Sequence, residues 1–175
     1  MAAPGKDEGD LIATEEWKDA ARMVSRHVQR VAALPIHVDD GSLDVVVRHA
    51  CKESFLIHVR VLTEFFGGGD PRSMHCSEFL EKWSPPRDSE AGQGLVRLRR
   101  DRSDISQWIA HIDWVRVEPV EEQYGLTAYR QMRRDILALF RAFTAEAVER
   151  GHPQAVIFHA ALLAAQQEAE RDTEA

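Results

Sequence analysis

Apolar side chains recur every three or four residues along most of this chain, and this spacing constrains its fold more than any other feature. Such spacing places apolar side chains on one face of an α-helix, whereas a half-buried strand requires strict alternation. The sequence contains no alternation of useful length, no hairpin turn signal and no internal repeat. It therefore predicts an all-α protein.

Prolines, glycines and capping residues divide this pattern into separate helices. Four main helices are predicted, over 14–34, 43–66, 103–117 and 126–149. A short helix near 76–83 and a C-terminal helix from 154 to about 170 complete the set, and residues 88–94 are predicted to form a loop. The C-terminal helix becomes acidic along its length, so we expect its end to fray. Short connections favour an up-and-down, antiparallel bundle.

The start of the third main helix has two interpretations. Helical spacing extends back to Leu95 and would allow one continuous helix. We favour a helix that begins at Ser103 or Asp104, because Asp104 with Gln107 resembles a capping box. On a continuous helix Arg102 would fall on the apolar stripe, where an arginine needs a carboxylate partner or a path for its head group to water.

The length of the chain and its polar start predict the domain organisation. The 175 residues are enough for one domain with a proper core. We predict a disordered tail at 1–10 and a single helical-bundle domain at 11–172. The longest nearly apolar run, 155–165, is about half of what a membrane span needs. The chain starts without a secretory signal, so we expect a cytoplasmic protein with reduced cysteines and no membrane partner.

Charge and motif spacing limit the chemistry. The net charge of -7 argues against broad nucleic-acid or anionic-membrane binding, which needs a basic surface. The sequence contains neither H-E-x-x-H nor C-x-x-C, so it predicts no metal site and no cofactor. A small-molecule or metal-binding bundle is a further alternative, because His58 and His111 lie on inward stripes of helices that could face each other.

One compact basic segment precedes Trp108 and Trp114. It consists of Arg97, Arg99, Arg100 and Arg102. Basic residues together with aromatic residues can hold a nucleic-acid strand. The simpler interpretation is a solvated face that Asp101 and Asp104 partly neutralise.

Four segments, in this order, resemble a set of small bacterial helical proteins. They are L-I-H-V-R-V-L-T-E-F-F (56–66), G-D-P-R-S with S-E-F-L-E-K-W (69–83), D-I-S-Q-W-I-A-H-I-D-W-V-R (104–116) and the amphipathic helix that follows. The resemblance covers roughly 43–149. That set of proteins is similar in turn to the wider HEPN-type group of helical bundles.

The resemblance implies a homodimer, because many HEPN-type bundles are dimeric. Active members of the group are metal-independent ribonucleases whose R-x(4–6)-H motif pairs across the dimer. By this resemblance His111 would be the motif histidine and would assist attack by the 2′-hydroxyl, and Arg102 or Arg116 would bind phosphate. The family-like position of the motif arginine, seven residues before His111, holds Asp104 in this sequence.

Two functions follow as expectations. The first is a non-catalytic or catalytically degenerate HEPN-like bundle with a buried polar network made by His58, Arg60, Asp104, His111 and Arg116. The alternative is a metal-independent ribonuclease in which His111 is the acid or base and Arg102 or Arg116 binds the phosphate of the RNA. The sequence does not identify a partner protein.

Overall fold

The computed structural model describes residues 15–38, 40–68, 72–110 and 126–174, and of residues 104, 107–110, 173 and 174 it describes the backbone. All regular structure in these ranges is helical, which confirms the predicted all-α fold. The helices are α1 (Glu15–Ala33), α2 (Pro35–Val38), α3 (Val45–Gly67), α4 (Cys76–Phe79), α5 (Glu90–Ala110), α6 (Leu126–Glu149) and α7 (Ala155–Glu174). The predicted tail at 1–10 lies outside the described residues. The single domain and the up-and-down order stay predictions.

Local signals explain where the first helices begin and end. Pro35 stops α1 at Ala33, as expected, but it then begins the one-turn helix α2, which the sequence analysis did not predict. A proline is well suited to a first helical position because its fixed φ and missing N–H cost nothing there. Asp44 caps α3, since its side chain accepts a hydrogen bond of 2.7 Å from the backbone N–H of Val46.

Helix α5 shows that two sequence predictions were wrong. It begins at Glu90 and continues without a break through Ser103 to Ala110, so 90–94 is helical instead of part of a loop, and no new helix starts at Ser103 or Asp104. The cap is Ser89, whose hydroxyl accepts a hydrogen bond of 3.1 Å from the backbone N–H of Gly92. The rest of the predicted third helix, 111–117, lies outside the described residues.

Two glycines that indicated a loop instead allow α5 to pack closely. A Cβ atom at Gly92 would overlap the backbone carbonyl oxygen of Pro86. A Cβ atom at Gly94 would lie 3.1 Å from the Cβ of Asp135 on α6. The absence of a Cβ atom therefore allows close contact with the preceding turn at Gly92 and with α6 at Gly94, and neither glycine breaks the helix.

The end of α7 differs from the expected frayed terminus. The helix extends to Glu174, and Asp172 in its last turns is buried. Asp172 forms ion pairs with two arginines of α6, at 3.2 Å from Arg130 and 2.7 Å from Arg133. These pairs hold the acidic end of the helix in place, which a local hydrophobic pattern does not reveal.

Aromatic side chains join the helices at the centre of the molecule. Helix α1 packs most extensively against α7, α5 packs against α6, and α3 contacts both α1 and α5. Phe79 of the short helix α4 lies edge-on to Phe143 of α6 and to Phe158 of α7, with ring centroids 6.4 and 5.3 Å apart. Phe65 of α3 contacts the same Phe143 at 5.7 Å. Edge-to-face pairs stabilise a core by about 0.5–1.5 kcal/mol each beyond burial alone.

Two further features concern the apolar character of the helices and the state of the cysteines. Within the described ranges, no helix combines the length and the apolar character that crossing a bilayer requires. Cys51 and Cys76 are free cysteines. Burial raises the pKa of the Cys76 thiol to about 11, so this side chain stays protonated and acts as a small core residue.

Candidate functional site

Three of the six predicted site residues have described side chains, namely His58, Arg60 and Arg102. The other three are Asp104, of which α5 includes the backbone, and His111 and Arg116, which lie outside the described residues. The expected network of five polar residues can therefore be followed only in part. The three described side chains meet two partners that the sequence analysis did not select.

His58 pairs with a second histidine. Its Nδ1 atom lies 2.8 Å from the Nδ1 of His27 on α1, and the two rings meet edge to face with centroids 4.9 Å apart. A hydrogen bond between two Nδ1 atoms requires one of them to carry a proton and the other to offer its lone pair. The pair therefore links α1 to α3 through one shared hydrogen bond between neutral rings.

The surroundings of the pair disfavour protonation. Burial, followed by the positive charges of His27 and Arg30, lowers the pKa of His58 to about 4. Burial and the charge of Arg26 also lower the pKa of His27. Near neutral pH both rings are therefore uncharged, and neither is poised to exchange protons with a substrate.

Glu64 is the second partner, and it forms ion pairs with two of the predicted arginines. Its Oε1 atom lies 3.0 Å from Nη2 of Arg102 on α5 and 3.4 Å from Nε of Arg60, one turn earlier on α3. The glutamate is mostly buried, whereas both arginines keep about a third of the side chain exposed. Arg102 thus has the carboxylate partner that its place on the apolar stripe required.

His27 and Glu64 line one pocket of about 210 Å³ between α1 and α3. Apolar side chains form most of its wall, among them Met23, Val61 and Phe65. Its polar groups are therefore few, and the arrangement resembles a small apolar site with fixed polar contacts. The pocket is small for an organic ligand, because most such sites hold about 300–1,000 Å³.

The geometry does not favour a metal at this place. The part of the chain that is described contains no group of three or more histidine, cysteine or acidic side chains suited to a metal ion. The two Nδ1 atoms of the histidine pair are at hydrogen-bond distance. Two ring nitrogens bound to one zinc ion at about 2.0–2.1 Å each in tetrahedral geometry would lie roughly 3.3 Å apart.

The basic segment in the middle of α5 makes several contacts within the protein. Arg97 forms a bidentate ion pair with the buried Asp135 of α6, with distances of 3.0 and 2.6 Å. Arg99 donates to the backbone carbonyl oxygen of Gly67 at the end of α3. Arg100 contacts the neighbouring Asp101. Asp101 neutralises one of these arginines as expected, but Arg97 pairs with Asp135 of α6, so the segment is only in part the predicted solvated face.

Sequence reasoning missed His27 and Glu64, although a partial signal was present. His27 lies three residues after Val24 and four before Val31, which places it on the apolar stripe of α1. A histidine on such a stripe requires a hydrogen-bond partner when it is buried. The identity of that partner depends on how α1 packs against α3, which the helical spacing does not specify.

No protein-family model matches this chain, and no significant similarity to a curated protein or to a solved structure is found.

Proposed function

We propose that this protein is a non-catalytic, HEPN-like helical bundle that acts by binding, as a homodimer. The main support for the proposal is that Glu64 forms ion pairs with both Arg102 and Arg60. An arginine that binds RNA phosphate must present its N–H groups to the phosphate oxygens. A carboxylate already bound to that guanidinium competes for the same donors and repels phosphate.

The described histidines support the same proposal. A general base works best when its pKa lies near the operating pH. The pKa of His58 is about 4, and that of His27 is lowered by burial, so the pair is structural near neutrality. The free cysteines Cys51 and Cys76 support a cytoplasmic location as part of the proposal.

Exposed apolar side chains on α3 support the homodimer. Val46, Ile57 and Val61 are 72%, 43% and 37% exposed. Their positions fall within about 60° around the helix axis, so they share one face. Exposed apolar side chains that share a face mark an interaction surface more often than single ones do. We assign this surface to a second copy of the chain.

Incubation of purified protein with single-stranded RNA tests the absence of catalysis. We expect the RNA to remain intact with the wild type, with His111→Ala and with Glu64→Gln, which releases both arginines. The exposed His49 on α3 offers a matched control, His49→Ala. RNA cleavage by the wild type and by His49→Ala, but not by His111→Ala, would instead establish the ribonuclease alternative with Arg102 or Arg116 on the phosphate.

A further inference from the structure

A second concave surface lies between α6 and α7, away from the histidine pair. It is a groove of about 650 Å³, and four arginines of α6 line it. They are Arg130, Arg133, Arg134 and Arg141. The first three are neighbours at i, i+3 and i+4, and the fourth lies two turns further on the same side of the helix. We call this surface the arginine groove.

The arginine groove carries an excess of positive charge in an acidic protein. Two carboxylates, Glu170 and Asp172, line it together with the four arginines, so two positive charges are left over. The whole chain has a net charge of -7. An unbalanced group of guanidinium groups inside a concavity attracts anions more strongly than the same groups spread over a convex surface.

One of the four arginines is almost fully buried and is not fully hydrogen-bonded. Arg133 is 5% exposed, and its Nη2 atom lies 2.7 Å from Oδ2 of Asp172. Its Nη1 atom is buried and has no acceptor in the part of the chain that the structure describes. A buried donor without an acceptor costs about 1–3 kcal/mol, and more when the group is charged. Arg133 lines the groove, so a small movement of its guanidinium group would let an anion oxygen supply the missing acceptor.

Of the remaining arginines, Arg134 and Arg141 can turn toward the same ligand, whereas Arg130 is held in place. Arg130 is held by Asp172 through contacts of 3.2 and 3.3 Å, and Arg134 donates to the side-chain oxygen of Gln131 at 2.8 Å. Neither Arg134 nor Arg141 forms an ion pair with a described carboxylate. Two rigidly held guanidinium groups and two adjustable ones therefore meet in one groove.

We propose that the arginine groove binds a small phosphate monoester, whose phosphate dianion contacts Arg133, Arg134 and Arg141. A dianion balances the two excess positive charges, whereas a single carboxylate leaves one of them uncompensated. Guanidinium groups match phosphate oxygens in bidentate geometry. The volume lies in the range of small-ligand sites, and Leu137 offers an apolar wall for the organic part.

The charge distribution favours a small molecule over a nucleic-acid strand. Glu170 lies in the lining of the groove, so a polyanion that continued past the arginines would meet negative charge. The acidic net charge also opposes the long-range attraction that nucleic-acid binding requires. A compact anion avoids both penalties. This inference is independent of whether the protein cleaves RNA.

Titration calorimetry in phosphate-free buffer tests the proposal with phenyl phosphate, inorganic phosphate and phenyl sulfate. Phenyl sulfate has nearly the shape of phenyl phosphate but one negative charge fewer. We expect one bound phenyl phosphate per chain, weaker binding of inorganic phosphate and still weaker binding of phenyl sulfate. Each of Arg134→Gln and Arg141→Gln should weaken phenyl phosphate binding by about tenfold, because each removes charge-assisted hydrogen bonds.

Arg22→Gln is the matched control, because it removes the same charge from α1, outside the arginine groove. It should leave the affinity unchanged, and circular dichroism should show that all three variants are folded. No binding of either phosphate compound at millimolar concentration would overturn the proposal. The proposal would also be overturned if Arg22→Gln and Arg141→Gln lost equal affinity for phenyl phosphate, or if single-stranded RNA bound more tightly than phenyl phosphate.

Discussion

The histidine pair illustrates how burial and geometry act on single residues. The Nδ1 atoms of His27 and His58 lie 2.8 Å apart, and one of them accepts the hydrogen bond from the other. Protonating the accepting Nδ1 would place two N–H groups against each other. Burial is the first cause of the lowered pKa of both rings. The folded state therefore favours neutral rings, while the unfolded chain binds protons at the ordinary histidine pKa. Stability must then depend on pH through this pair.

The stability contributed by neutral His58 should be fully present above about pH 6.5 and lost as the pH falls toward 4. The unfolded chain binds a proton throughout this window, and the folded protein does not. Because the ring is only half-buried, solvent screening reduces the loss to about 1–2 kcal/mol. Urea denaturation of the wild type and of His58→Gln at several pH values measures the difference between their free energies of unfolding.

His49→Gln, on the exposed side of the same helix, controls for the loss of a histidine. Its pH profile should run parallel to that of the wild type, whereas the profile of His58→Gln should be flatter. His27 and His152, whose pKa values are also lowered by burial, leave some pH dependence in every variant. Identical slopes for the wild type and His58→Gln between pH 6.5 and 4 would contradict the prediction.

At the scale of the helices, the sequence predicted the elements whose signals are local. Apolar spacing and caps gave α1, α3 and α6 to within a few residues. The sequence does not predict the start of α5, because Gly92 and Gly94 have the composition of a loop although both are close-contact positions. The Arg102–Glu64 pair joins α5 to α3, and no periodicity within one helix can specify such a contact. For the candidate site, helical spacing could therefore select residues on inward stripes, such as His58 and Arg102, but not their partners on other helices.

Gly92→Ala should destabilise the protein by about 1–3 kcal/mol, because its methyl group would overlap the backbone carbonyl oxygen of Pro86. The helix propensity of alanine favours the opposite sign, so this substitution separates packing from propensity. Gly41→Ala is the control, since a Cβ atom there has no neighbour within 4 Å. Thermal denaturation of both variants measures the effect. A melting temperature of Gly92→Ala at or above that of the wild type would show that α5 does not approach Pro86 so closely.

Asp135→Asn should lower the free energy of unfolding by about 3 kcal/mol, because it removes the negative charge that pairs with Arg97 between α5 and α6. Asp135 is buried and also accepts a hydrogen bond of 2.9 Å from Gln131. Asp101→Asn provides a comparison on α5, where the partner Arg100 is exposed and the pair contributes little. Chemical denaturation should separate the two variants clearly. Equal stabilities would mean that the Arg97 pair does not hold α5 in place.

At the scale of the whole molecule, the described helices leave apolar side chains of α3 exposed while α7 covers α1. A second copy of the chain is the proposed cover for Val46, Ile57 and Val61. Light scattering after size-exclusion chromatography should give a mass near twice the 19.8 kDa of one chain. Ile57→Lys should shift the mass to that of a monomer, because a charge cannot be buried in an apolar contact without a partner.

Val156→Lys is the matched control, because it places the same charge at an exposed apolar position of α7. That variant should keep the mass of the wild type. A wild-type mass of 19.8 kDa would contradict the dimer itself. An Ile57→Lys protein that keeps the doubled mass would place the interface on another surface.

The packing of α1 against α7 also has a consequence for biosynthesis. The apolar face of α1, with Val24, Val28 and Val31, is buried, and α1 packs against α3, α6 and α7, all of which the ribosome makes later. Until α7 has left the exit tunnel, α1 lacks the most extensive of its native helix contacts. We therefore expect α1 of the nascent chain to bind a ribosome-associated chaperone. The native packing of α1 can therefore be completed only after α7 has been synthesised.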